Sequence, residues 1–192
     1  RTCHNIIEVG NADFSQVYGS VWRTIAGADA DGLQAYRDEF TALTFPAAGA
    51  KQRTGDPVEV YRDAARVRPA FEAAMAELVD GLGGVELLMP RTLKAMGRIV
   101  EKSLLRVDDP GNADQIFDVV RCMVQCKSMR QVAEVVRRVN ESKKVELVRC
   151  KERFEMRVSG GGWRDCMINF VVTVPASSAG DAEQDGRSGQ QE

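Results

Sequence analysis

The second half of the chain alternates between helix-like and strand-like segments, and this alternation constrains the fold more than any other feature. Apolar residues at helical spacing run through residues 58–82, 91–106 and 128–142. Segments of strand character lie at residues 114–126, 143–158 and 163–174. Strands that are separated by helices predict a core of the α/β or α+β class.

These patterns divide the chain into three regions. Residues 1–56 hold two weaker helical patterns followed by a loop, and they predict a helical N-terminal appendage. Pro57 directly follows Asp56, which is typical of a helix start, and the predicted α/β domain spans residues 57–175. The tail at 176–192 has no large apolar residue, so we expect it to be disordered.

Composition argues against several classes of function. The chain has 26 basic and 28 acidic residues, which gives no whole-molecule reason to expect a nucleic-acid or membrane partner. No apolar run approaches the roughly 20 residues that a membrane helix needs. His4 is the only histidine, which argues against histidine-based catalysis or zinc binding. The five cysteines include no C-x-x-C pair, so we expect a reducing, cytoplasmic environment.

Basic side chains at regular spacing mark the predicted helix 91–106. They stand three or four positions apart and would share one face: Arg91, Lys94, Arg98, Lys102 and Arg106. A second, apolar face would pack in the core, and it comprises Leu93, Met96, Val100 and Leu104. The predicted strand at 143–158 adds basic groups on one side, namely Arg149, Lys151, Arg153 and Arg157. Two such surfaces side by side would bind phosphates, and the alternative is a solvated basic face.

Two further features lie in strand contexts. The stretch "SGGGWRD" places Trp163 and Arg164 directly after three glycines, where an aromatic face beside cations suits a nucleotide. A hairpin loop with a packing tryptophan is the alternative. Asp118 lies within an apolar strand pattern, where a carboxylate needs an ion pair or a metal. An ion pair to Lys94 or Lys151 and a role as Mg²⁺ ligand are the two interpretations.

Taken together, these segments resemble the RelA/SpoT-like nucleotidyltransferase domain, the fold of alarmone synthetases. The resemblance covers about residues 88–174 and depends on four pieces in order: "RTLKAMGRIVEKSL", "DQIFDVVRCMV", "LVRCKERF" and "GGWRDCMINFVV". It is closest to the divergent branch of the family, in which a K-x-R-F segment precedes a G-aromatic-R-D strand.

The resemblance implies an α+β fold in which helices flank a mixed β-sheet of nucleotidyltransferase type, incomplete at its C-terminal end. It implies transfer of pyrophosphate from ATP to the 3′-hydroxyl of GTP or GDP, with Asp118 as catalytic residue and Mg²⁺ ligand. Trp163 would stack on the guanine base. The nucleotide phosphates would be bound by basic side chains, namely Lys94, Arg98, Lys102, Arg121, Lys151, Arg153 and Arg164.

One element of the family pattern has no counterpart here. The second catalytic carboxylate of the family stands on a Glu-x-Gln strand after the glycine-aromatic strand, whereas this chain runs directly into the tail. Either the sequence is truncated or this domain lacks synthetase activity. Three functions therefore stay open: a synthetase of (p)ppGpp, a nucleotide- or RNA-binding module, and a protein-interaction domain.

Overall fold

The computed structural model describes residues 2–46, 49–159 and 161–172, where five helices surround two short pairs of strands. The helices are α1 (Thr2–Ala28), α2 (Ala30–Thr41), α3 (Pro57–Val79), α4 (Met96–Leu104) and α5 (Met129–Glu141). Strand β1 (Glu86–Leu88) pairs antiparallel with β2 (Met123–Gln125), and β3 (Val145–Glu152) pairs antiparallel with β4 (Cys166–Val172). The α+β class is thereby confirmed. The predicted tail at 176–192 lies outside the described residues.

Side-chain caps explain where two of the helices begin. Asp56 Oδ1 accepts a hydrogen bond from the backbone N–H of Val58 at 2.8 Å, and Pro57 occupies the first helical position of α3. Ser128 Oγ accepts from the N–H of Gln131 at 3.3 Å at the start of α5. Both starts match the residues that the sequence favours at these positions.

The main core lies between α2, α3, α5 and the β3–β4 pair. Tyr36 of α2 is 1% exposed, and it packs with buried side chains of α5 such as Met129 and Val136. Helix α1 joins this core through Trp22, whose ring stacks on Phe154 at 5.4 Å between centroids. Residues of the predicted N-terminal appendage are therefore packed against the rest of the chain. Of the helices in the described ranges, none has the length and apolar character that crossing a membrane requires.

Helix α4 is shorter than predicted and buries a different face. Residues before Met96 are not helical, because the N–H of Lys94 donates to the carbonyl of Val119 at 3.0 Å. Ile99 is fully buried against the segment 113–119, whereas Leu104 of the predicted apolar face is 61% exposed. A helix inside the predicted range 91–106 is thus confirmed for residues 96–104, whereas its predicted ends and its apolar face are wrong, since the packing of segment 113–119 decides which face is covered.

The predicted strand at 114–126 is also shorter, because only Met123–Gln125 pairs with another strand. Loop contacts hold the earlier part: Asp114 binds Lys51 and Arg106 at 2.9 and 2.6 Å, and its carbonyl accepts from the N–H of Gln52. Asp118 therefore lies in an irregular segment. In the described part of the chain the strands form two separate antiparallel pairs, so the nucleotidyltransferase-type sheet stays a prediction.

Replacing Ile99 by Ala tests which face of α4 is buried. Loss of a fully buried side chain leaves a cavity, so we expect the free energy of unfolding to fall by about 2 to 5 kcal/mol. The control, Leu104→Ala on the same helix, removes an exposed side chain and should change it by no more than about 0.5 kcal/mol. Urea denaturation measures both values. Equal losses for the two variants would contradict the packing of α4.

Candidate anion-binding site

Asp118 is the centre of the candidate site, and two lysines bind its carboxylate. Lys94 Nζ donates to Asp118 Oδ2 at 2.6 Å, and Lys102 Nζ lies 3.1 Å from Oδ1 and 3.2 Å from Oδ2. Lys94 is fixed by its backbone bond to Val119, and Lys102 stands in the last turn of α4. The ion pair of Asp118 with Lys94 is thus confirmed, and Lys102 is a second partner.

The two lysines lower the pKa of Asp118. Burial acts to raise this pKa, but the hydrogen bond from Lys94 and the charge of Lys102 outweigh burial, so the pKa lies below its ordinary value. Both carboxylate oxygens are bound by ammonium groups, which would repel a metal ion at the same place. Among the residues described, no three or more His, Cys, Asp or Glu side chains are arranged to hold a metal. These surroundings do not fit Mg²⁺, which prefers several oxygen ligands, and the magnesium requirement stays a prediction.

Strand β3 brings Lys151, an exposed residue that is only partly desolvated, into the same region. Its pKa is lowered, first by burial and then by the charges of Arg149, Lys102 and Arg153, while Asp118 acts in the opposite direction. Within the ranges that the structure describes, Lys151 forms no salt bridge. Neighbouring cations therefore disfavour the positive charge of its ammonium group. No described carboxylate forms a salt bridge with this group.

Arg149 is held in place from two sides. Its Nε donates to Asn169 Oδ1 at 2.8 Å, and its guanidinium carbon lies 4.9 Å from the ring centroid of Phe117, the residue before Asp118. The register of β3 and β4 shifts between Leu147 and Arg149, as in a β-bulge. Bulges turn side chains toward a new direction, and they are frequent next to functional sites.

An ion pair between Arg153 and Asp165 forms the far end of the site. Arg153 Nε and Nη2 donate to Asp165 Oδ1 and Oδ2 at 2.5 and 2.7 Å, a bidentate geometry. Trp163 Nε1 donates to the same Oδ2 at 3.0 Å. The indole is 45% exposed, and Tyr18 of α1 contacts it edge-on, with 5.8 Å between ring centroids. Trp163 therefore presents an aromatic surface to solvent beside a guanidinium group.

Gly162 allows α1 to approach the loop that carries Trp163. Its φ is +78°, in the left-handed region that favours glycine. A Cβ at this position would lie 2.7 Å from Ser15 Cα and 3.2 Å from Tyr18 Cβ. Both the backbone conformation and the close approach of α1 therefore require glycine here.

We call five side chains the cation cluster: Lys94, Lys102, Arg149, Lys151 and Arg153. Asp118 and Asp165 are the carboxylates bound within it, so the cluster has an excess of three positive charges. A local excess of positive charge attracts anions and raises their concentration near the surface.

The predicted basic face of the helix is not formed as a unit. Arg98 Nη1 binds Glu101 Oε2 at 2.5 Å, and the Arg98 side chain is 70% exposed. Arg106 binds Asp114 instead. Arg121 is exposed and borders a small hollow next to Glu72 of α3. The prediction of a single stripe is wrong because α4 covers only part of it, and the phosphate-binding roles of Arg98 and Arg121 stay predictions.

Arg164 is the third predicted phosphate-binding residue outside the cation cluster. Its guanidinium carbon lies 5.1 Å from the ring centroid of Trp22, and its Nη1 donates to the carbonyl of Phe154. Arg164 Nε is buried and has no hydrogen-bond partner among the described residues. The Arg164 side chain therefore contacts both α1 and the loop after β3. Its role in phosphate binding stays a prediction.

Sequence reasoning did not assign the roles of Asp165 and Asn169. Asp165 orients both Arg153 and Trp163, and Asn169 orients Arg149. The Asp165 contact follows from the register, because Glu152 stands opposite Cys166 and the N–H of Arg153 donates to the carbonyl of Asp165 at 2.9 Å. The hydrogen bond between Arg149 and Asn169 depends on the register shift in β3, and no local sequence pattern predicts that shift.

The chain was compared with protein-family models, with curated proteins and with solved structures, and none of them matches. The resemblance to the RelA/SpoT-like domain therefore stays a prediction that rests on the four sequence pieces.

Asp118→Asn tests how strongly the two lysines hold the carboxylate. The variant leaves Lys94, whose side chain is 13% exposed, without its charged partner. We expect a loss of about 1 to 2 kcal/mol in the free energy of unfolding at neutral pH. The pKa of Asp118 is lowered by folding, so its contribution is present above about pH 3.9 and is lost as the pH falls through the folded-state value.

Urea denaturation of wild type and Asp118→Asn at neutral pH and at about pH 3 measures how the free energy of unfolding depends on pH. The gap between wild type and Asp118→Asn should narrow at the lower pH. As control, Glu101→Gln removes the carboxylate of an exposed pair and should change stability by less than about 0.5 kcal/mol. A gap that stays constant across the pH range would contradict the lowered pKa of Asp118.

Proposed function

We propose that the cation cluster binds the phosphates of a nucleotide, ATP, GTP or GDP, and that the chain is a cytoplasmic RelA/SpoT-like nucleotide-binding domain. One observation carries this proposal: Lys151 lies among Arg149, Lys102 and Arg153 and forms no salt bridge with a described carboxylate. Oxygens of a phosphate chain would relieve this repulsion, and guanidinium and ammonium groups are the donors that phosphates prefer.

Trp163 supports a nucleotide over free phosphate. Its exposed indole stands beside Arg153, because both side chains donate to Asp165. A base that stacks on this indole would therefore place its phosphates near the cation cluster. Stacking on an aromatic ring is tolerant of base identity, so a preference for guanine would need further hydrogen bonds.

Pyrophosphate transfer is the finer part of the proposal and depends on the family resemblance. A synthetase would need Asp118 to exchange Lys94 and Lys102 for a metal and a reacting nucleotide. The contacts of Asp118 favour binding over chemistry, since its lowered pKa makes it a weak base. We therefore expect nucleotide affinity with slow or absent formation of (p)ppGpp.

Lys151→Ala tests nucleotide binding by isothermal calorimetry with GTP, GDP and ATP. We expect the dissociation constant to rise about tenfold, which corresponds to the loss of one charge-assisted hydrogen bond. Lys143→Ala removes the same charge from an exposed residue just before β3, and it should leave the dissociation constant unchanged. Affinity should also fall with added salt.

Equal losses of nucleotide affinity in Lys151→Ala and Lys143→Ala would indicate a diffuse effect of charge. They would contradict a binding site at the cation cluster. If nucleotides give no heat at low salt and a single-stranded RNA does, the nucleotide proposal is wrong and RNA takes its place. Arg98→Ala distinguishes the cation cluster from the stripe that the sequence predicted, because only the stripe requires Arg98 for binding.

Trp163→Leu and Trp163→Phe together test base stacking. Leu removes the aromatic face, whereas Phe keeps an aromatic face and loses only the N–H bond to Asp165. We expect Leu to weaken GTP binding about tenfold and Phe to retain most of it. Titration with inorganic tripolyphosphate is the control, since it carries no base. If tripolyphosphate loses as much affinity as GTP in Trp163→Leu, Trp163 supports Arg153 and does not stack on a base.

A further inference from the structure

Cys150 and Cys166 face each other across the β3–β4 pair. Their Sγ atoms are 3.4 Å apart. In the register of the pair Cys150 stands opposite Ile168 and Cys166 stands opposite Glu152, so the two cysteines are diagonal neighbours on one face. A disulfide has its sulfurs about 2.05 Å apart and its Cα atoms usually within about 6.8 Å, whereas diagonal neighbours stand about 7 to 8 Å apart, so closure also requires the two strands to draw slightly together.

The position in the sheet allows this closure. Cys166 is the first residue of β4, and β3 ends at Glu152, two residues after Cys150. The bonds of Glu152 hold the end of β3, so the adjustment falls to Cys166 at the start of β4, where fewer ladder bonds hold the strand than at its centre. Cys150 and Cys166 are both partly exposed residues, and the proposed oxidant is therefore a small molecule.

The hydrogen bond between the two thiols shifts their pKa values in opposite directions. The hydrogen bond with Cys150 lowers the pKa of Cys166, aided by Tyr36 and opposed by burial and by the carboxylates of Glu152 and Asp165. The same hydrogen bond, together with burial, raises the pKa of Cys150. These directions favour Cys166 as the first thiol to ionise, and either sulfur can be the donor in the hydrogen bond that joins them.

The other described cysteines lack this arrangement. Burial raises the pKa of Cys122 to about 11 and also raises the pKa of Cys126. Both are free thiols. They serve as internal controls, since each is partly exposed and neither has an acidifying partner.

We propose that Cys150 and Cys166 form an oxidisable pair, a modification site that a hydroperoxide converts to a disulfide between β3 and β4. The Cys166 thiolate attacks one peroxide oxygen, the O–O bond breaks, and the departing oxygen takes up a proton. Cys166 is then a sulfenic acid. The Cys150 sulfur attacks the Cys166 sulfur, the S–O bond breaks, and the hydroxyl leaves as water with the Cys150 proton. Two thiols lose two electrons and the peroxide gains them.

A two-cysteine variant, Cys3→Ser, Cys122→Ser, Cys126→Ser, gives the clearest test. Treated with hydrogen peroxide in slight excess, it should lose the mass of two hydrogen atoms per chain and remain monomeric on a non-reducing gel. Dithiothreitol should restore the original mass. With Cys150→Ser added, the chain should instead gain one oxygen atom as a sulfenic acid that dimedone captures.

Peptide mapping of the oxidised wild-type chain tests the same linkage without any substitution. Cleavage after acidic residues should yield residues 147–152 disulfide-linked to the peptide that begins at Cys166. A two-cysteine variant that keeps its mass, that only adds oxygen, or that forms only dimers would overturn the proposal. So would a wild-type map in which Cys122 or Cys126 is linked and the Cys150–Cys166 linkage is missing.

Discussion

The buried carboxylate of Glu152 organises the end of β3, and the rest of the structure depends on it. Glu152 is 6% exposed, and its carboxylate accepts a hydrogen bond from the hydroxyl group of Tyr36 at 3.2 Å. It also accepts the backbone N–H groups of the next turn, from Phe154 at 2.9 Å to Met156 at 2.7 Å. These bonds stop the strand and turn the chain, so that Arg153 faces Asp165 and Phe154 faces Trp22. One carboxylate thus joins α1, α2 and the β3–β4 pair.

The two faces of β3 have different chemistry because side chains alternate along a strand. Cys150 and Glu152 point to the core side, where Tyr36 and Cys166 lie. Arg149 and Lys151 point to the opposite side, toward Phe117 and Asp118. A bulge before Arg149 sets this direction. The thiol pair and the cation cluster therefore share a strand without sharing a surface.

Local patterns predicted the helices well where the capping residue decides the boundary, as Ser128 and Asp56 do. They predicted α4 poorly, because Ile99 and Leu104 are equally apolar in sequence and only the segment 113–119 determines which of them is covered. Asp118 stood out as a carboxylate in an apolar run, and Lys94 was one of the two ion-pair partners that the sequence suggested for it. The bond from Asn169 to Arg149 was not predictable, since it requires a register shift between distant strands.

Not every cation near Asp118 is equally available to a ligand. Arg153 already has a bidentate partner in Asp165, and Lys94 and Lys102 share the oxygens of Asp118. An arriving phosphate would have to compete for these three groups, whereas Lys151 is free of such a partner among the described side chains. Binding would then begin at Lys151 and draw Lys102 from Asp118, since Lys94 would still pair with that carboxylate. If Lys102 moves in this way, the carboxylate of Asp118 loses one of its two ammonium partners when the ligand binds. A role of Asp118 in phosphate chemistry would require this movement.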